Sequence, residues 1–181
     1  MDMASPVGHA LVGTAAAAIT AQLTGTPESP GLWVGAVIAA GLPDLDLLLA
    51  LVGRHGPDYH RNHSHSLFVL GLIVAAGWLI VRAASLPLEA GLFAAWTAAL
   101  VTHPLLDVVT SGPDLAARGY GVAVLWPVVR RRMHVRRPLF DRDTGDWGCA
   151  GTLRDLWWRV QPEVFVLGPP CAAIVLLVVL F

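Results

Sequence analysis

Lysine is missing altogether, and the 12 arginines that make up the basic residues face 13 acidic ones, for a net charge of −1. A chain so balanced has no bulk positive field of the kind that drives sequence-independent nucleic-acid binding, so no nucleic-acid partner is expected. Charge of either sign is scarce. Only 14% of the residues are Asp, Glu, Lys or Arg, against about 25% in ordinary soluble domains. Cysteine is rarer still: Cys149 and Cys171 stand far apart with neither a CxxC pair nor Cys/His spacing, so neither a disulfide framework nor a thiolate zinc site is indicated. What fills the chain instead is apolar. It is 55% hydrophobic, with mean hydropathy +0.62, and the apolar residues come in long runs, the pattern of an integral membrane protein.

A bilayer core takes about 20 apolar residues of helix, and five runs qualify, at about 7–24, 31–52, 66–84, 87–110 and 163–181. The expected fold is an all-α membrane protein of five transmembrane helices, with residues 1–181 forming a single membrane domain and 111–162 its one sizeable loop. The first run is expected to stay as a span rather than be cleaved as a signal peptide, since no Lys or Arg precedes it and it carries His9. With five spans, the N-terminus, loop 53–65 and loop 111–162 share one side, and they carry every arginine except Arg82. Because cytoplasmic loops hold the excess of basic residues, the N-terminus is expected in the cytoplasm. Residues 152–161 read as a short amphipathic helix. Thr152 and Asp155 suit a capping box, and Trp157 and Trp158 suit the headgroup layer of the membrane. The arginine cluster from Arg130 to Arg137 suits anionic headgroups or simply fixes the topology.

Ionisable side chains within or at the ends of spans are costly and mark functional sites by default. Here they converge. His9 opens the first span, Asp44 and Asp46 lie late in the second, His60, His63 and His65 precede the third, and His103 and Asp107 lie late in the fourth. Alternating span directions bring all of them to the cytoplasmic side. In His103-Pro104-Leu105-Leu106-Asp107 the imidazole and carboxylate are four residues apart and share a helix face, so both can reach one metal ion or each other. In Gly41-Leu42-Pro43-Asp44-Leu45-Asp46 the two aspartates would point nearly opposite ways in an unbroken helix, so both serve one site only if Gly41 and Pro43 open the backbone. Asp44 is the expected ligand, and Asp46 either a further ligand or a support for one. In His60-Arg61-Asn62-His63-Ser64-His65-Ser66 three imidazoles flank Arg61, whose guanidinium matches phosphate or carboxylate geometry. Ser66 is positioned to cap the next helix. Histidine and aspartate donors without cysteine suit divalent zinc, with manganese or iron as alternatives. The donors suffice for two ions, and a two-ion site clamps a phosphoester during hydrolysis.

The ordered set His9, Leu42-Pro43-Asp44-Leu45-Asp46, His60 to Ser66, His103-Pro104-Leu105-Leu106-Asp107 with Thr110-Ser111-Gly112, and Leu125-Trp126-Pro127 resembles the YdjM/YbcI-type family of inner-membrane proteins described as metal-dependent hydrolases. The resemblance spans residues 9–127. It implies a metal set of His9, Asp44, His60, His65, His103 and Asp107, with Arg61 beside it. The third unit of that family reads like His-Arg-Gly-x-Thr-His-Ser, so Asn62 stands for the glycine, Ser64 for the threonine, and His63 occupies the variable position. A looser similarity to zinc-dependent phospholipase C, a helical enzyme with Asp, His and HxxxD ligands in that order, points by analogy to phosphoester chemistry.

The expected function is a membrane-embedded metal-dependent hydrolase with one to three ions, acting on an ester or phosphoester of a lipid-like substrate at the cytoplasmic leaflet. Asp107 would bridge ions, Arg61 would offset developing negative charge, and Asp46 or His63 would accept a proton. Two other classes use the same residues differently. A proton or divalent-ion transporter would employ the buried polar groups as a pathway, and a scaffold would bind a soluble regulatory partner through loop 111–162.

Overall fold

The computed structural model describes residues 4–53, 60–140 and 152–180. Arg54, Arg142 and Cys149, which entered the sequence argument, lie outside these residues. Ser5 and Pro6 start the first helix, α1 (Pro6–Thr24): the Ser5 hydroxyl accepts from the amides of Val7 and Gly8, and Pro6 occupies the first turn where no donor is needed. Gly25, at φ +65°, ends α1 in the left-handed conformation that glycine takes without steric cost. The same grammar begins α2 (Pro30–Gly41), where Ser29 caps and Pro30 follows. Ser66, as expected, caps α3 (Leu67–Ala83) through the amide of Val69. The remaining helices are α4 (Ala90–Thr110), a short α5 (Pro113–Ala117) and α6 (Leu153–Leu180). Among the described residues there is no strand, only an isolated antiparallel bridge between Val122 and Met133.

Among the described residues four segments are long and apolar enough to cross a membrane: Pro6–Thr24, Pro30–Leu49, Ala90–Thr110 and Arg154–Leu180. The expected third span, α3, has only 17 residues, which at 1.5 Å per residue is about 26 Å against a hydrocarbon core of about 30 Å. The second expected span is not one α-helix. At Leu42 it tightens into a 3₁₀ segment, Leu42–Val52, directly beside Pro43, which has no amide to donate. The last expected span starts earlier than 163. The amphipathic stretch 152–161 is the first part of α6 rather than a separate interfacial helix, capped by Thr152 as foreseen (Asp155 amide to Thr152 hydroxyl, 3.2 Å). Pro162, Pro169 and Pro170 all sit inside α6. A proline marks a probable helix boundary, not a certain one, where neighbouring elements hold the chain. Here Glu163 is hydrogen-bonded to the start of α1.

The bundle centres on α1, which packs against α2, α4 and α6. Lipid is as apolar as leucine, so helices in a membrane gain by close approach of small residues rather than by hydrophobic burial. The shared core accordingly holds Ala17, Ala21, Ala36, Ala95 and Ala99, with Leu32, Leu70 and Leu100 filling between them. At Gly13 α1 and α2 approach closely, since a Cβ there would lie 2.5 Å from Ala40 Cβ. The segment 111–140 folds back over the end of the bundle where α1 and α3 begin and α4 finishes. Its amides and carbonyls join Val135 to Ser111, Leu139 to Val109, Ala123 to Arg61 and Val124 to Leu67.

Replacing Gly13 by leucine should pry α1 from α2 and destabilise the protein by about 1–3 kcal/mol, the usual cost of overpacking. Gly71→Ala, with open space around the new methyl, should leave thermal unfolding in detergent unchanged or slightly later. Equal melting temperatures for the two variants would contradict this packing.

Candidate metal centre

Four chain segments deliver donors to one end of the bundle. The first turn of α1 supplies His9, the 3₁₀ segment Asp44, the turn before α3 His60 and His65, and the second half of α4 His103 and Asp107. They form three overlapping groups, each with donor atoms within 4.8 Å of one another: His9, Asp44 and His103; Asp44, His60 and His65; and His65, His103 and Asp107. Every residue expected in the metal set therefore lies in the cluster.

The tautomers follow from the outward-facing hydrogen bonds. His103 Nδ1 lies 2.5 Å from the Ala40 carbonyl, which can only accept, so Nδ1 carries the proton and Nε2 faces inward. His60 Nδ1 donates likewise to Asp46, at 2.7 Å. Ser64 donates its proton to Asp46 and lies 2.9 Å from His65 Nδ1, so His65 Nδ1 donates to the serine oxygen. Fixing one ring nitrogen in this way orients the other, the arrangement that holds metal-ligating histidines. The inward atoms are crowded but poorly paired. His65 Nε2 is 3.0 Å from Asp107 Oδ2 and 3.1 Å from His103 Nε2, and His103 Nε2 is 3.2 Å from Asp44 Oδ1. Yet Asp44 Oδ1, Asp107 Oδ2 and His60 Nε2 are buried without a hydrogen bond. Atoms that converge on a point without aligning on one another are placed as ligands of a cation would be. Burial opposes a proton on His65, but its interactions with Asp107 and Asp44 prevail and push its pKa up to about 9; a metal ion bound at this imidazole would have to displace that proton. The donor set suits zinc, manganese or iron.

Asp44 and Asp46 reach this region together because of the 3₁₀ geometry. Three residues per turn set the two side chains about 120° apart, so Asp44 faces His65 and His103 while Asp46 faces His60, Ser64 and the Arg61 amide. Asp46 thus supports ligands and belongs to none of the three donor groups.

Arg61 has no exposed surface. Its guanidinium donates to Asp107 at 2.8 Å, to Ser111 Oγ at 2.7 Å and to the Tyr120 carbonyl at 3.1 Å, and its backbone is left-handed at φ +61°, a conformation that side chains adopt only where surroundings impose it. Arg61 is expected to offset charge on a substrate; in the structure its two terminal nitrogens hold Asp107 and the overlying segment, while its Nε is buried without a hydrogen bond. His63 is not brought to the cluster. It is exposed and its ring packs edge-on against Trp126, 4.2 Å between centroids, so its expected role as proton acceptor has no geometric basis.

Glu163 was missed by sequence reasoning, although a glutamate just after Pro162 in an apolar helix is itself a signal. It is 3% exposed and reaches from α6 to the start of α1, accepting from the Ser5 amide at 2.6 Å, the Ser5 hydroxyl and the Gly8 amide at 2.9 Å. A carboxylate at a helix N-terminus is favoured by the backbone dipoles, and this one fixes the turn that carries His9. Gly8 is required for the approach, since a Cβ there would lie 2.5 Å from Glu163 Oε2.

Asp46→Asn keeps the shape but weakens the hold on His60 and His65. Metal affinity, measured by titration into chelated protein, should fall about 10–100-fold with little change in thermal stability. Wild-type affinity in this variant would remove Asp46 from the site.

Comparison with known proteins bears on the whole chain rather than on the cluster alone. No curated protein and no solved structure matches it. The profile of the YdjM inner membrane proteins matches residues 3–181, nearly end to end and including every donor named above; the chain belongs to the YdjM inner membrane protein family.

Proposed function

We propose that this protein is a membrane-embedded metal-dependent hydrolase that cleaves an ester or phosphoester of a lipid-like substrate. The observation that carries the reading is the convergence of four imidazoles and two carboxylates from four chain segments, with Asp44 Oδ1, Asp107 Oδ2 and His60 Nε2 buried there without a hydrogen bond. Burying such a set in a membrane bundle is costly, and a structural role would be met more cheaply by apolar side chains. Divalent ions held there would supply Lewis acidity and activate water.

The chain's own residues have distinct tasks in this reading. His9, Asp44, His60, His65, His103 and Asp107 hold one to three ions, with zinc the first choice. Asp44, His65 and His103 each belong to two of the three donor groups and Asp107 to one, so Asp44, rather than the expected Asp107, is the carboxylate that two ions would share. Asp46, Ser64 and the Ala40 carbonyl lock the imidazoles, Arg61 locks Asp107, and Glu163 locks the first turn of α1. Asp44 is the carboxylate through which a substrate approaches, because it keeps 19% of its side-chain surface while Asp107 keeps 1%. The arginines of 130–137, which follow the cluster end of α4, support a cytoplasmic orientation by the positive-inside tendency. An ion pathway would need polar groups continuing through the bundle; beyond the cluster the shared core is alanine and leucine, which favours hydrolysis over transport.

The direct test is turnover of a chromogenic phosphodiester by protein reconstituted in nanodiscs. His103→Ala and a chelated wild type should both lose activity while the variant still inserts and folds in the membrane. Retention of near-normal turnover in either would sink the hydrolase assignment.

A further inference from the structure

Among the donors of the cluster, Asp44 is the one that keeps appreciable exposure. Side-chain exposure is 19% for Asp44 and 8% or less for His9, His60, His65, His103 and Asp107. Two residues before Asp44, Leu42 stands at one end of a groove of about 390 Å³ between α2, α3 and α4, within the range of about 300–1,000 Å³ that ligand pockets span. Ala39 lines it from α2, Ile73 and Gly77 from α3, and Trp96 and Leu100 from α4. On α4, Trp96, Leu100, His103 and Asp107 follow one another at three- and four-residue spacing, so the stripe that walls the groove continues into the cluster. On α3, which runs the opposite way, His65 precedes the helix and Ile73 and Gly77 come two to three turns later. Both helices thus set the groove on the same side of the cluster, extending about 15 Å from it at 1.5 Å per residue.

The chemistry of the groove selects its occupant. Its walls are almost wholly apolar, and the indole nitrogen of Trp96 is already committed to the Gly31 carbonyl at 3.2 Å. A molecule lying there can be satisfied only by carbon and hydrogen along its length, and its polar end must emerge at Asp44. A larger groove of about 480 Å³ between α1 and α6 lacks such an end: its Val7, Ala10, Leu11 and Thr14 occupy the face of α1 away from His9. Resting on the hydrolase reading, we infer that the groove of α2, α3 and α4 holds the aliphatic chain of the substrate, a lipid whose hydrolysable ester sits at the chain's end. The lipid enters sideways from the bilayer and delivers its ester to the cluster without leaving the membrane. Moving a chain from lipid to such a groove gains little free energy, so the groove acts by orientation, holding the ester near its reacting geometry.

The test uses the full chain in nanodiscs with a phosphatidic acid whose palmitoyl chain carries a photoactivatable diazirine. Label should concentrate on the α3 and α4 residues of the groove and be lost in Gly77→Phe, whose new side chain has room beside Phe93, 3.8 Å from the Cβ position. Label spread evenly over lipid-facing residues such as Leu79, Leu176 and Leu177 would overturn the inference. A kinetic arm compares hexadecyl and ethyl p-nitrophenyl phosphates. The long ester should have the higher kcat/KM, by about tenfold, and that ratio should collapse in Gly77→Phe but persist in Ala172→Phe, which fills the other groove. An unchanged ratio in Gly77→Phe would equally overturn it. If the metal-loaded wild type cleaved neither ester, the hydrolase reading would fail, and the labelling pattern would still decide the groove.

Discussion

A guanidinium with no exposed surface faces a carboxylate that is 1% exposed, 2.8 Å away. Neither charge could be left alone at such a depth: removing one partner of a buried pair costs about 3–5 kcal/mol because the other remains uncompensated. The Arg61–Asp107 pair therefore holds several elements at once. Asp107 belongs to α4, Arg61 to the turn that presents His60 and His65, and the other guanidinium bonds reach Ser111 and Tyr120 in the segment that covers the bundle end. The left-handed backbone of Arg61 is held by the same network, with its amide on Asp46 and its carbonyl accepting from Ala123. Donor atoms from distant parts of the chain stay in register because this pair cannot be loosened cheaply.

The bundle beneath is built on another principle. Helices that cannot gain by hiding apolar surface from water gain by approaching closely, and alanine and glycine at their contacts permit it. Close approach has a functional consequence. It brings the Ala40 carbonyl of α2 within reach of His103 on α4, so a backbone atom, which no side-chain substitution removes, orients a ligand. At the α6 contact the same role falls to Glu163, whose carboxylate replaces missing intrahelical partners at the start of α1. One side of the cluster is fixed by backbone, one by a buried ion pair and one by a helix cap.

Much of this was legible in the sequence, for identifiable reasons. Long apolar runs announce membrane helices, and alternating span direction brings His9, Asp44, His60, His65, His103 and Asp107 to one end without knowledge of contacts. The opening at Gly41 and Pro43 could be foreseen because proline lacks a donor. What could not be read depends on contacts between distant residues or on local geometry. His63 resembles His60 and His65 in type and position, and only the turn before α3 sends it outward to Trp126. Arg61 has the chemistry of an anion binder, and only the proximity of Asp107 reveals that it is already occupied. Glu163 pairs with residues more than 150 positions away, and segment 111–140 has no periodicity from which its fold could be inferred. Residues 152–161 read as separate from the span beginning at about 163, because only contacts with neighbouring elements keep that helix continuous through Pro162.

The whole arrangement depends on the inward nitrogens and oxygens of the cluster holding metal. Elemental analysis of the untagged full chain, purified in detergent without chelator, tests it without assuming any substrate. Stoichiometric zinc, manganese or iron in the wild type, lost on His65→Ala, is the expected result. Well-folded wild-type protein that carries no metal, and takes up none from a zinc-containing buffer, would contradict it.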